Sequence, residues 1–139
     1  MLFRSLLLVL DNCEHVIGAV AVLAETLLAR CPNTTVIATS RETLGIQGEH
    51  MYRVPPLEVP AAGRDEADYI LNSSAVELFI ARTRELDASF SPRAGELPSV
   101  GAICRHLDGI PLAIEFAAAR ASTLGIQPII AHLHDRFAQ

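Results

Sequence analysis

The chain has 139 residues, 50% of them hydrophobic, and a mean hydropathy of +0.32, which supplies one good core and excludes intrinsic disorder. Its 11 basic and 16 acidic residues give a formal charge of -5, which excludes a general electrostatic attraction to nucleic acid or an anionic membrane. Cys13, Cys31 and Cys104 are odd in number and widely spaced, which excludes a disulfide framework and suits reduced thiols in a cytoplasm.

Residues 6–12, Leu-Leu-Leu-Val-Leu-Asp-Asn, form the first element. Five bulky apolar side chains are too few to cross a membrane and suit a strand buried on both faces of a parallel sheet. Asp11 then emerges at the strand's carboxyl end. Ligands of open α/β sheets collect there, and an Asp in that position can hold the Mg²⁺ of a nucleotide. Asp-Asn is equally ordinary turn chemistry. Met1 to Leu10 carries Arg4 and an apolar run but no small-residue cleavage site, so it reads as strand and not as signal peptide.

From Glu14 to Arg30, Val16, Val20, Leu23 and Leu27 step by four, three and four, which predicts a helix. Cys31-Pro32-Asn33 closes it, and Thr34 to Thr39 reads as a second strand. A crossover of this length permits a parallel, right-handed βαβ unit. Both strands then end on one edge, with Asp11 beside Ser40-Arg41-Glu42. An Arg there is placed to contact a terminal phosphate, or to make a surface ion pair with Asp11 or Glu42.

Beyond two glycines in residues 43–49, His50 to Val54 reads as a third, short strand, and Pro55, Pro56 and Pro60 enforce an extended linker. Ala61 to Asp68 reads as a surface loop, and helices follow. Ser74-Ala75-Val76-Glu77 has the capping-box pattern at the start of a helix carrying Val76, Phe79, Ile80 and Leu86. A second helix carries Leu97, Val100, Ile103, Cys104 and Leu107 and stops at Asp108-Gly109. Pro111 starts an alanine-rich helix to Ala121, whose plain reading is close packing, and a last helix from Pro128 to Phe137 presents Ile129, Ile130, Leu133 and Phe137.

Four segments in this order, 6–15, 36–49, 75–79 and 109–120, resemble blocks of the NB-ARC ATPases, the STAND nucleotide switches. The likeness is to the ATPase module of bacterial LuxR-type and SARP-type transcriptional regulators. The resemblance implies an α/β fold, a partial parallel three-layer sheet like that of P-loop NTPases followed by an all-helical segment. It divides the chain into the end of a nucleotide-binding core (1–60), a loop or linker (61–72) and a helical segment (73–139). It makes Asp11 the Mg²⁺ carboxylate, Arg41 the contact to the terminal phosphate, and Gly109 and Pro111 part of the Gly-x-Pro motif at the nucleotide. ATP or ADP with Mg²⁺ would be the cofactors.

There are departures. No Gly-x-x-x-x-Gly-Lys-Ser/Thr occurs, although that loop and its Lys supply most phosphate contacts. Position 12, acidic in related ATPases, is Asn12, which cannot take a proton from water. Glu14 is the candidate to replace it, and is equally a favourable charge near a helix N-terminus. The resemblance therefore implies a piece of a regulatory ATPase whose phosphate loop, winged-helix and DNA-binding parts belong to a longer parent, and which is inactive alone. The alternative is an interaction module without nucleotide chemistry. An unrelated hydrolase lacks a nucleophile–base pair: Cys13 and His15 are too close in sequence, and His132 and His134 point to different sides of a helix. A sheet with an open edge is expected to self-associate.

Overall fold

The computed structural model describes residues 5–137, with side chains described as far as residue 133. Strand β1 (Leu6–Leu10) leads through a 3-10 turn (Cys13–His15) into α1 (Ile17–Arg30) and strand β2 (Thr34–Ala38). Five helices follow: α2 (Ala67–Leu71), α3 (Ser74–Leu86), α4 (Leu97–His106), α5 (Pro111–Leu124) and α6 (Ile126–Phe137). The chain divides into two compact units, Met1–Arg53 and Val54–Gln139.

In the first unit β1 and β2 pair in parallel with Leu6 opposite Thr34 and Leu10 opposite Ala38, so the strands finish level. The turn Cys31-Pro32-Asn33 reverses the chain as its residues require, the Thr34 N–H donating to the Cys31 carbonyl at 3.0 Å. Helix α1 packs on β2 and turns Ile17, Val20, Ala24 and Leu27 inward, while Val16 and Leu23 of the expected stripe stay exposed. The stripe starts one residue later than its sequence spacing suggested because residues 13–15 form a 3-10 turn and α1 begins only at Ile17.

The expected fold class is corrected here. Among the described residues the sheet has two strands only, and the protein is mostly helical, not a three-layer P-loop-type sheet. The third strand expected over His50 to Val54 does not form. Gly45 and Gly48, at φ +72° and +83°, turn the chain ahead of it, and Pro55 and Pro56, which lack N–H donors, follow. Met51, Tyr52 and Val54 are left largely exposed. Nor is β1 buried on both faces: Leu6, Leu7 and Val9 are 55%, 58% and 58% exposed. An apolar run of this length is compatible with a fully buried strand, yet the covering layers must come from other elements, and among the described residues none covers Leu6, Leu7 and Val9 fully.

The second unit has a true core. Ile70 of α2, Val76 and Phe79 of α3, Val100, Ile103 and Cys104 of α4 and Ile114 of α5 are buried together, and Ala117, Ala118 and Ala121 let α5 lie close against α3. Gly125, at φ +81°, makes the corner between α5 and α6. Ser74 does not build the expected capping box with Glu77, and its neighbour Ser73, the actual N-cap, makes no side-chain cap. Their hydroxyls instead fasten the segment ahead of the helices: Ser73 Oγ donates to the Glu58 carbonyl at 2.6 Å and Ser74 Oγ accepts from the Glu58 N–H at 2.9 Å. The Arg105 guanidinium holds the Pro60 carbonyl at 3.0 Å, so residues 57–60 form a strap pinned to the helices. Phe137 and His134 lie beyond the described side chains. Among the described residues no helix is long and apolar enough to cross a membrane.

Candidate functional site

The level ends of β1 and β2 create the site. Past the last strand pair the ladder continues: the Thr39 N–H donates to the Leu10 carbonyl at 2.9 Å, and the Cys13 N–H donates to the Thr39 carbonyl at 2.9 Å. Asn12 takes the left-handed conformation (φ 59°, ψ 48°) that short polar side chains tolerate, and turns the chain into the 3-10 turn. Cys13 is buried beneath it, its thiol near the Leu10 carbonyl at 3.4 Å. His15 is exposed, so these two residues share no face.

Asp11 is exposed at this edge and accepts a hydrogen bond on Oδ1 from the Thr39 hydroxyl. That hydroxyl in turn accepts from the Asn12 N–H at 2.9 Å. Arg41 lies at the same end of the sheet, 89% exposed, with Nε 3.4 Å from Glu14 Oε1. The ion pair thus runs to Glu14, not to Asp11 or Glu42, and the Glu42 N–H is taken by Ser40 Oγ at 3.2 Å. With its amide nitrogen turned toward Glu14, Asn12 also donates to both carboxylate oxygens, at 3.0 and 3.2 Å. Glu14 is therefore occupied by Arg41 and, in that amide orientation, by Asn12. The Arg41 side chain is 89% exposed while that of Glu14 is only 15% exposed, so solvent screens the pair from the guanidinium side and leaves Arg41 able to exchange Glu14 for a stronger anion.

The loop after Arg41 closes on itself. Both oxygens of Glu49 receive backbone donors, the Leu44 and Gly45 N–H groups, each at 2.9 Å. Successive N–H groups around a left-handed glycine form the kind of concavity that binds anions, and here the chain's own carboxylate fills it.

Gly109 and Pro111 belong to the second unit. Gly109 is buried at φ +66°, its carbonyl accepting the Leu57 N–H at 2.9 Å. A Cβ there would come within 2.2 Å of the Leu57 oxygen, so the glycine is required by the close approach of the strap. Pro111 is exposed at the first turn of α5, where its missing N–H is harmless.

Among the described residues no group of three or more His, Cys, Asp or Glu side chains is placed to hold a metal. The donor set at the strand ends does fit a hard cation of the Mg²⁺ type, which binds through one or two carboxylates and completes its shell with water and phosphate oxygens. Asp11 would hold it, with Oδ2 free of protein hydrogen bonds among the described residues. Burial pushes the Cys104 thiol up to about 12, as befits a core sulfur and not a nucleophile. Arg82 is raised by its hydrogen bond and charge contact with Glu85 and by Glu115, in an exposed cluster joining α3 to α5. The outer side of α5 carries a shallow depression of about 520 Å³ lined by Phe116, Ala119, Arg120, Thr123 and Leu124.

Sequence reasoning brought Asp11 and Arg41 to one edge but missed Thr39, which it counted as an ordinary strand residue. The available signal was its position: one residue past a parallel register that ends level, it must face the turn that follows Asp11.

The chain is 46% identical over 131 residues, 94% of its length, to an uncharacterized protein of Mycobacterium tuberculosis and equally to one of Mycobacterium bovis. It is 43% identical over 134 residues, 96% of its length, to a Mycobacterium tuberculosis protein provisionally named an HTH-type transcriptional regulator. The chain spans 30% of the length of the former relatives and 14% of the latter. No family model and no solved structure matches it.

Proposed function

We propose that the chain is a segment of a regulatory signal-transduction ATPase, a nucleotide-dependent switch of the NB-ARC or STAND kind that controls a transcriptional regulator. The likeness to a protein named for transcriptional regulation supports the regulatory half of this reading. The observation that carries the nucleotide half is the level ending of two parallel strands, which puts the Asp11 carboxylate and the Arg41 guanidinium at one exposed edge. In this reading Asp11 holds Mg²⁺ of bound ATP or ADP, Arg41 exchanges Glu14 for the terminal phosphate, and Asn12 and Glu14 order the turn between them. Gly109 and Pro111 form a rigid start to α5, with the strap fastened to the glycine. The expected affinity is weak, because no glycine-rich phosphate loop contributes its N–H groups and Lys.

Calorimetry at millimolar Mg·ADP tests it. Asp11→Ala should remove the Mg²⁺-dependent part of the heat and Arg41→Ala should weaken binding, whereas unchanged binding in both variants rejects these roles.

A second reading, a protein-interaction module without nucleotide chemistry, is favoured by one observation. Leu112, Phe116 and Leu124 on α5 are 60%, 66% and 57% exposed, three large apolar side chains on one helix that a partner would cover.

A further inference from the structure

We infer that Thr39 is a positioning residue: its hydroxyl fixes the orientation of the Asp11 carboxylate, so that Oδ2 is presented to a divalent cation. The inference rests on the proposed role of Asp11 and deepens it by naming the group that makes the carboxylate rigid.

An Asp side chain alone at an exposed strand end can turn about two bonds, and rotation would spread its oxygens over several positions. Thr39 removes that freedom through a chain of contacts in which each partner's direction is set. Its backbone is clamped on both sides, the N–H to the Leu10 carbonyl and the carbonyl to the Cys13 N–H, both at 2.9 Å. Its β-branched side chain has few χ1 choices on such a backbone. A hydroxyl has a single proton. Because the Asn12 N–H occupies an oxygen lone pair from one side at 2.9 Å, that proton is left to point at Asp11 Oδ1. The donor that orients the hydroxyl comes from the residue following Asp11, and Asn12 can supply it because it adopts the left-handed conformation. Asp11 Oδ1 is thereby committed to protein and Oδ2 is not.

Metal-ligating carboxylates are held in this way by hydrogen bonds from groups that never touch the ion, and loss of such a partner lowers metal affinity about 10- to 100-fold. A plain turn-closing role for the Thr39 hydroxyl, through the Asn12 N–H, would show in the valine variant as shifted amides at residues 11–13 before any metal is added. A positioning role needs the hydroxyl, which serine retains.

Mn²⁺ supplies the probe, its binding to the chain followed by water-proton relaxation, with amide NMR spectra to confirm that each variant is folded. Asp11→Asn should abolish the site. Thr39→Val should weaken Mn²⁺ about 10-fold, by the outer-partner effect, and Thr39→Ser should stay within about twofold of the parent. Thr39→Ala repeats the test should the valine variant fail to fold. Wild-type affinity in Thr39→Val or Thr39→Ala, while Asp11→Asn has lost the site, overturns the role of Thr39 and leaves that of Asp11 standing. Serine as weak as valine overturns it as well. A parent chain that binds no Mn²⁺, or an Asp11→Asn variant that binds it as well as the parent, overturns both.

Discussion

Helices α3 to α5 shut Phe79, Ile103 and Ile114 completely away from solvent, whereas strands β1 and β2 leave Leu6, Leu7, Val9 and Ile37 about half exposed or more. The two units have comparable apolar side chains and use them differently. Among the described residues of Val54–Gln139, 15 form one contiguous buried cluster. Among the described residues of Met1–Arg53 the buried hydrophobic ones are Cys13, Val20 and Ala24. Full burial of a large apolar side chain is worth roughly 1.5–3 kcal/mol, and a half-covered one yields a corresponding part of that. The helical unit is therefore built on packing, and the strand unit on the backbone ladder between β1 and β2 and the turns that extend it. The difference teaches where chemistry can sit. Groups that must meet a ligand need exposed, hydrogen-bonded positions, and those lie at the strand ends and not in the helical core.

Core deletion gives the largest contrast. Phe79→Ala should cost about 3–5 kcal/mol of helical-unit stability in urea denaturation, while Leu7→Ala in the strand unit should cost less than about 1.5 kcal/mol, because its side chain is already 58% exposed. Equal losses would break the comparison.

Alkali should act through the same core. The Cys104 thiol, at 9.0 when unfolded and pushed up to about 12 by burial, binds its proton more tightly in the folded state. Its contribution is fully present below pH 9 and is lost as the pH rises toward 12, since the unfolded chain then sheds the proton first. At ~1.4 kcal/mol per pH unit the loss amounts to at most about 4 kcal/mol. Cys104→Ala should remove this slope from helical-unit melting between pH 9 and 12.

Gly109→Ala comes next. It combines a positive φ with a 2.2 Å approach to the Leu57 oxygen, and should cost about 2 kcal/mol or more and raise amide exchange at Leu57. A neutral effect would mean that the strap is not fastened as described.

Much of the local structure was legible in the chain itself. The pairing of β1 with β2 followed from two apolar runs joined by a helix-length crossover, and Pro111 and Gly109 marked the start of α5 and the stop before it. The sheet's extent was not legible, because whether His50 to Val54 pairs depends on the neighbours available to it and not on its β propensity. Ser74 carried a correct helix-start signal and an incorrect partner: its hydroxyl, like that of Ser73, meets Glu58, which is distant in sequence. At the site, residue types picked out Asp11 and Arg41. Thr39 escaped notice because its role arises from strand register, and Glu14 was read through the helix end when its ion-pair partner is Arg41.

Residue-resolved NMR of the chain, titrated with Mg·ADP to millimolar concentration and repeated with the metal chelated, tests the strand-end site most directly. The account predicts Mg²⁺-dependent shifts at the amides of Asp11, Asn12, Cys13, Thr39 and Arg41. Silence at those amides, or the same shifts without the metal, would contradict it.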